Sequence, residues 1–261
     1  MSTPRITTAL LRTVAISTLA TWLAAATAAE VALTATGDAM AREMAPTTNY
    51  GAAGGLAVSG AAAVNAAGQA RGRVQSILRF EAGAAVTAFD AAYGSGNWTI
   101  TSVSLEVTEI AMPNNPIFAV GAGDFAISWT SGDLWSEGPG SPQAPTIGVG
   151  DEVTWNSLTA LIGGSTVVPL GSFSRLGVDG ARTLPLTPAA ELLADIGAGS
   201  DVSLLGTSLT DSLGFTFNSR SGAGPAAAPK LVIRAVPEPC TAALLALGMS
   251  LLRQSRKIRP R

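Results

Sequence analysis

The chain has 261 residues, a formal net charge of −2, no histidine and a single cysteine. The lack of histidine excludes Ser-His-Asp and Cys-His triads and every histidine-ligated metal site. A single cysteine excludes an internal disulfide and a thiolate zinc site. Only 16 residues are Lys or Arg, so the composition does not predict nucleic-acid binding.

The first thirty residues have the pattern of a secretory signal peptide. Two arginines are the only charged residues before Glu30, and an apolar stretch separates them from it. The small residues that end this stretch, Ala28 and Ala29 last, fit the rule for signal-peptidase cleavage. We predict that residues 1–29 direct export across the inner membrane and are then removed. The alternative is a core helix of a globular domain.

The last 26 residues also differ in composition from the rest of the chain. The motif Val236-Pro237-Glu238-Pro239 precedes an uncharged run of Ala, Leu and Gly at 240–252, and a basic segment occupies 253–261. The two prolines end a preceding strand and favour the start of a helix. As a helix, the apolar run would span about 20 Å, less than the hydrocarbon core of about 30 Å. The tail therefore predicts a weak or transient membrane anchor, with its basic end on the cytoplasmic side.

This tail resembles the PEP-CTERM sorting signal of Gram-negative bacteria. The resemblance implies that an exosortase recognises Val236, Pro237, Glu238 and Pro239 and delivers the protein to the cell surface or extracellular matrix. An ordinary amphipathic C-terminal helix is the alternative, although the apolar run has no polar face.

Between the two ends, residues 30–235 contain nine basic and seventeen acidic residues, a net charge of −8. An acidic domain of this kind is expected to stay soluble and not to adhere nonspecifically to anionic polymers. The only cysteine lies outside this segment, so its folding is not expected to depend on oxidation.

Short β-rich runs between Gly, Pro, Asn and Ser predict an all-β domain. The clearest run has Val103, Leu105 and Val107 alternating with polar residues, which places the three apolar side chains on one face. The predicted strands are 31–36, 56–59, 74–80, 98–110, 118–120, 125–129, 165–170, 202–205, 213–217 and 230–234.

Helical patterns are few in this segment. Thr187 and Pro188 before an apolar run predict one short helix that ends at Gly197, and a shorter helical turn is predicted after Trp155. We therefore predict a β-sandwich or jelly roll with one or two short helices.

Several short motifs follow one another along residues 30–235. They are Asp38, Thr48-Asn49-Tyr50-Gly51, Leu56-Ala57-Val58, Ser76-Ile77-Leu78-Arg79-Phe80, 100–105, Trp135-Ser136-Glu137, Val153-Thr154-Trp155-Asn156, Phe217-Asn218-Ser219-Arg220 and 229–233. Their order is similar to that of the DNRLRE-domain family of exported bacterial and archaeal proteins. This resemblance implies a jelly-roll sandwich, with carbohydrate binding in some members, including alginate-type polysaccharides. The chain departs from the family at Ser221, where an acidic residue is usual, and in an alanine-rich insert after Gly60.

The candidate glycan contacts are Tyr50, Arg79, Trp135 and Trp155. Each also has a structural interpretation. Tyr50 lies in an Asn-Tyr-Gly turn, an Asx turn in which the Asn49 side chain would cap its own backbone and Gly51 would accept a positive φ. Arg79 either lines a binding face or pairs with an acid across the sheet. The two tryptophans either stack on sugar rings or anchor the core.

Asp38 is the candidate ligand for a structural Ca²⁺, although no calcium-loop motif accompanies it. A glycosidase would need a pair of carboxylates, but Glu106 and Glu109 are predicted on opposite faces of a strand. The turn pair Asp151-Glu152 is expected to be solvated. The sequence thus predicts an exported, non-catalytic protein that binds polysaccharide. The alternative is a structural or adhesive matrix component, and a polysaccharide lyase or hydrolase is disfavoured.

Overall fold

The computed structural model describes residues 28–111, 120–222 and 224–238. Within these ranges the chain forms thirteen strands and three short helices, so the predicted all-β class is confirmed. The elements are β1 (Ala29–Thr34), β2 (Gly37–Arg42), β3 (Thr48–Asn49), β4 (Gly55–Ser59), β5 (Val74–Glu81), α1 (Gly83–Tyr93), β6 (Trp98–Glu109), β7 (Asp124–Thr130), β8 (Thr146–Ile147), α2 (Trp155–Gly163), β9 (Val167–Ser174), β10 (Gly180–Leu186), α3 (Ala190–Ala198), β11 (Asp201–Ser208), β12 (Gly214–Asn218) and β13 (Lys230–Pro237).

Eleven strands form one antiparallel sheet that folds into two layers. Layer one contains β1, β13, β6 and β10, with β13 and β10 both paired to β6. Layer two contains β2, β5, β11, β7 and β9. The pair β4–β12 connects the layers through single pairings, Phe217 with Glu109 and Ser59 with Val74. The architecture is that of a β-sandwich.

The inner faces of the two layers enclose one hydrophobic core. On β6, Val103, Leu105 and Val107 are at most 3% exposed, whereas the polar residues between them are half-buried. The predicted alternation along this strand is therefore confirmed. The ring of Phe125 from β7 stacks on that of Phe215 from β12, with centroids 4.2 Å apart.

The helices differ in detail from the prediction. α3 begins at Ala190 after Ala189, which makes no side-chain capping bond, so Thr187 is not its cap. The helix continues through Gly197 and ends before Gly199, which has a φ of 69° and adopts the left-handed conformation that glycine tolerates. With α1 and α2 also formed, the described residues contain three helices rather than one or two.

The sequence patterns do not predict α1, β2 or β10. α1 has no capping side chain and buries only Ala85 and Phe89. β2 has the sequence GDAMAR, which is poor in the branched and aromatic residues that favour strands. It is extended because all six of its residues pair with β5. Of the predicted strand 118–120, only Val120 is described, and it forms an isolated bridge.

The folded domain extends slightly beyond the predicted boundary at residue 235. β13 pairs with β6 as far as Pro237, and the backbone N–H of Glu238 donates to the carbonyl of Asn97 at 2.9 Å. At the same end of layer one, Ala29 of β1 pairs with Ala235. The described strands other than β3 and β8 form one sheet around the hydrophobic core, whose described residues all lie within 28–238.

The two predicted targeting segments lie almost entirely outside the described residues. Signal-peptide residues 1–27, Pro239 of the sorting motif, the apolar run 240–252 and the basic end 253–261 are all beyond them. Among the residues that are described, no helix is long and apolar enough to cross a membrane.

Candidate functional site

Two of the predicted site residues, Arg79 and Trp135, meet on the outer face of layer two, where the loop of residues 131–140, which follows β7, packs on β2, β5 and β11. Asp38 lies on the opposite face of β2, in register with Leu78, and is near this loop through Glu137. Tyr50 lies on the far side of this loop, and Trp155 begins the helix beside it. The fold thus gathers at one place motifs that are spread over most of the chain.

Trp135 is a structural anchor of the 131–140 loop. Its ring lies over Gly37, where an added Cβ would come within 3.2 Å of it, and over the Arg79 guanidinium, 4.6 Å from the ring centroid. The indole Nε1 donates to Ser203 Oγ at 3.2 Å, and the residue is 4% exposed. Sugar stacking needs an open ring face. The contacts of Trp135 therefore favour its core interpretation, and its role in sugar stacking stays a prediction.

Arg79 lies on the opposite face of β5 from Leu78 and Phe80, as the alternation predicts. Its guanidinium donates to the backbone carbonyls of Asp133 at 3.2 Å and Trp135 at 3.0 Å. The predicted cross-sheet acid is Asp201, with Nε and Oδ2 4.0 Å apart. Arg79 therefore holds the 131–140 loop against the sheet, and the pairing interpretation is the one that its contacts favour.

The buried side chain of Asn49, in β3, binds the backbone of the 131–140 loop. Its amide Nδ2 donates to the carbonyls of Glu137 at 2.8 Å and Val153 at 2.9 Å. Its Oδ1 accepts from the backbone N–H of Gly51 at 3.2 Å and Gly140 at 2.8 Å. The side chain is fully buried and joins three separate segments. The predicted Asx turn is thus confirmed, but its amide also has a long-range role.

Tyr50 has the contacts of its structural interpretation, so its glycan contact stays a prediction, whereas Gly51 differs from its predicted role. Tyr50 is 4% exposed, its hydroxyl accepts from Arg42 at 3.2 Å, and the Arg42 guanidinium lies 5.3 Å from the ring centroid. It has no free face for a sugar. Gly51 is not among the glycines with positive φ. Glycine is required there because an added Cβ would lie 1.7 Å from the carbonyl oxygen of Glu137.

Asp38 is a buried carboxyl at the start of β2. It has no exposed surface, and its Oδ2 accepts from the backbone N–H of Arg220 at 2.6 Å. Its Oδ1 has no hydrogen-bond partner among the described residues. Burial raises the pKa of this carboxyl to about 7, the Arg220 N–H opposes the shift, and the charge of Glu137 adds to it. Asp38 therefore retains its proton far more readily than an exposed aspartate.

Arg220 and Glu137 form the charged rim of this cluster. The Arg220 guanidinium is paired with the Glu137 carboxylate, to which Nε donates at 2.8 Å. The neighbouring Ser219 is buried and donates to the carbonyl of Ala53 at 2.5 Å, which fixes the turn that carries Arg220. The charges at the rim thus neutralise each other within the protein.

The metal prediction at Asp38 can be compared with these contacts. In the described part of the chain, no group of three or more Asp, Glu, His or Cys side chains is arranged to hold a metal ion. Glu137, the acidic neighbour that influences Asp38, already pairs with Arg220. A calcium ion there would need backbone carbonyls for most of its oxygen ligands. The Ca²⁺ site stays a prediction.

Trp155 is half-buried and begins α2, where Thr154 is the N-cap. The Thr154 and Ser157 side chains form a reciprocal capping box, so α2 is longer than the short turn predicted. A mostly apolar cavity of about 210 Å³ separates α2 from the 131–140 loop. It is lined by Leu134, Trp135, Asp151, Val153, Ser157, Leu158, Ala160 and Leu161.

A second charged cluster, centred on Glu109, was not identified from the sequence as a site. Glu109 is 1% exposed, lies 3.0 Å from Arg182 and 3.6 Å from Arg175, and accepts from the backbone N–H of Gly177 at 2.7 Å. The predicted separation from Glu106 is confirmed, since Glu106 occupies the half-buried outer face. The alternation of β6 contains the signal for this cluster, because Glu109 continues the buried register of Val107.

A scan against protein-family models finds no family that matches the chain, and a search of curated proteins finds no similar sequence. Both family resemblances of the sequence, to PEP-CTERM tails and to DNRLRE domains, therefore stay predictions.

Proposed function

We propose that this chain is an exported, non-catalytic β-sandwich that serves as a structural component of the cell surface or extracellular matrix of a Gram-negative bacterium. The choice of a structural role rests on the burial and the hydrogen bonding of the residues predicted to contact sugar. Tyr50 and Trp135 are each 4% exposed, and Arg79 is engaged by loop carbonyls. Side chains that brace the fold in this way are not free to bind a ligand. We further infer that the sandwich is of the jelly-roll type that the DNRLRE resemblance implies.

The positions of the two chain segments support delivery by terminal signals. Ala29 pairs with Ala235, so the segments before β1 and after β13 attach at the same end of layer one. Val236 and Pro237 are the last residues of β13, and the backbone N–H of Glu238 donates to the Asn97 carbonyl at 2.9 Å, so the sorting motif overlaps the end of the folded domain.

The non-catalytic role is supported by the carboxylates. Glu106 and Glu109 lie on opposite faces of β6, and Glu109 is enclosed by two arginines. A glycosidase requires two carboxyl groups that flank one substrate bond, and this pair does not provide them.

Polysaccharide binding is the second candidate. The cavity of about 210 Å³ between α2 and the 131–140 loop favours it, because Asp151 and Ser157 provide polar groups beside apolar walls. The Trp135 ring contributes to the lining although it has little exposed area.

Delivery is tested by fractionating cells that express the full chain with an epitope inserted in the exposed turn at Gly150. We expect the protein at the surface or in the matrix, with both ends shortened, and the Glu238→Ala variant retained in the membrane fraction. Glu30→Ala, which removes another exposed glutamate at the same end of layer one, is the matched control and should be delivered normally. A protein that stays in the cytoplasm with both ends intact would falsify the proposal.

The choice between the two candidates is tested by thermal unfolding of residues 28–238 with acidic and neutral polysaccharides, each with calcium and with a chelator. A ligand at a hundred times its Kd should add about 2.7 kcal/mol, which is several degrees in Tm. The structural role is supported if no polymer gives a stabilisation that depends on Leu134 or on calcium. Stabilisation by a polymer that Leu134→Ala abolishes supports binding at the α2 cavity, and calcium-dependent stabilisation supports the Asp38 site.

A further inference from the structure

A second cavity, of about 240 Å³, opens where the outer face of layer two extends beyond α2. It lies between the β4 end, the start of β5 and the turn that follows β11. The cavity is lined by Ser59, Gly60, Arg73, Val74, Gln75, Thr207, Ser208, Leu209 and Asp211. None of these residues belongs to the 131–140 loop or to the sites predicted from the sequence.

The walls of this cavity are held by internal contacts. Gly60 packs directly on the turn after β11, where an added Cβ would lie 2.3 Å from the carbonyl oxygen of Thr210. Ser208 Oγ donates to that same carbonyl at 2.7 Å, and Thr210 Oγ1 accepts from the backbone N–H of Asp124 at 3.0 Å. The turn is thus fixed against β4 and β7 before any ligand arrives, which lowers the entropic cost of binding.

Three polar side chains in the cavity lining are not engaged by the protein. Gln75, Thr207 and Asp211 make no side-chain hydrogen bond to any described residue. This differs from Asn49, whose amide makes four hydrogen bonds. Together they offer an amide, a hydroxyl and a carboxylate, a set that both donates and accepts.

The charges favour a neutral ligand over an anion. Arg73 is already paired with Glu43 at 3.2 Å, so Asp211 leaves the cavity region with one negative charge in excess. An acidic sugar would be repelled, whereas hydroxyl groups can bond to the amide and the carboxylate. Leu209, which is 58% exposed, provides an apolar contact at the rim for the C–H face of a sugar ring.

We propose that this cavity binds a single pyranose unit of a neutral polysaccharide. Its volume is below that of pockets for drug-sized ligands, about 300–1,000 Å³, which limits the occupant to one ring. The sugar hydroxyls exchange hydrogen bonds with Gln75, Thr207 and Asp211, and the ring rests on Leu209. This inference goes beyond the structural role proposed above, because it gives the matrix component a specific contact with polymer.

The test is calorimetric titration of residues 28–238 with neutral oligosaccharides of glucose, mannose and galactose, and with an oligosaccharide of glucuronic acid. We expect one neutral series to bind and the acidic one to bind at least about tenfold more weakly. Gln75→Ala and Thr207→Val should each weaken binding about tenfold, which corresponds to the loss of one or two hydrogen bonds. Their Tm values should equal that of the parent, because neither side chain has a hydrogen-bond partner in the described part of the chain.

Thr183→Val is the matched control for this titration, since Thr183 is exposed on β10 in layer one. It should bind as the parent does. The proposal is overturned if no neutral oligosaccharide binds, if the glucuronic acid series binds as well, or if Gln75→Ala and Thr207→Val leave binding unchanged while Leu134→Ala abolishes it. Surface delivery is measured separately by fractionation, so failure here does not affect that proposal.

Discussion

The two buried carboxyl groups of this sandwich, Asp38 and Glu109, illustrate two ways of accommodating an acid in a core. Glu109 is surrounded by Arg175, Arg182 and backbone N–H groups, so its charge is matched by partners inside the protein. Asp38 has one backbone N–H, an unpartnered oxygen and a raised pKa of about 7. Burial alone therefore does not decide how well a carboxyl group is accommodated in the protein. The number of hydrogen-bond donors around the group also decides it.

The largest effect is expected from Glu109. The change Glu109→Gln leaves two arginines that are 11% and 13% exposed without their counter-charge. We expect a loss of about 3–5 kcal/mol in the free energy of unfolding, measured by urea denaturation of residues 28–238. Glu106→Gln, on the outer face of the same strand, is the control and should change stability by less than about 0.5 kcal/mol. Equal losses in the two variants would show that the arginines do not require this carboxylate.

Asp38 should make the free energy of unfolding fall as the pH rises. Its pKa is about 7 in the folded state and near 3.8 when exposed, so the folded protein keeps a proton that the unfolded chain loses. Stability from this group is present below pH 4 and is lost as pH rises through 7, by on the order of 4 kcal/mol. Asp38→Asn cannot ionise and retains an oxygen that can accept from Arg220.

The measurement for Asp38 is the difference in unfolding free energy between Asp38→Asn and the parent from pH 4 to pH 8. Taking the difference cancels the titration of the other carboxylates. We expect the variant to gain relative to the parent across this range. A constant difference would mean that Asp38 is ionised in the folded protein at low pH, as it would be with a bound cation.

The smallest effect is expected from the rim pair Arg220–Glu137. The Arg220 side chain is 41% exposed, so Arg220→Met should cost about 1 kcal/mol or less, and less again at high salt. It should also move the titration midpoint of Asp38 upward, because the Arg220 charge lowers that pKa. Arg234→Met, which removes an exposed pair with Glu30, is the control and should leave the Asp38 midpoint unchanged.

The sequence predicted the strands in which alternation or branched and aromatic residues indicate a strand locally. β6 alternates over residues 102–109, and β5, β7 and β13 are rich in branched and aromatic residues, so local preference and burial agree. β2 has no such pattern. Its extended form depends on pairing with β5, a contact that no local window of sequence contains.

The sequence predicted which residues belong to the candidate site but not what each of them does. The motifs around Asp38, Asn49, Arg79 and Trp135 were identified, and the fold brings them together. Whether an aromatic ring faces solvent or the core depends on which loop covers it. Trp135 is buried because the 131–140 loop turns it onto Gly37, and this contact joins residues almost a hundred positions apart.

The sequence by itself determined the all-β class, the alternation of β6 and the Asx turn at Asn49, because each of these depends on neighbours within a few residues. Only the tertiary structure decided that Glu109 is matched by arginines while Asp38 is left with a free oxygen. It also decided that Gly51 is needed for close approach to a carbonyl rather than for a positive φ. The physical reason is the same in each case. The burial of a side chain and the hydrogen-bond partners available to it depend on segments that are distant in sequence and adjacent only in the folded chain.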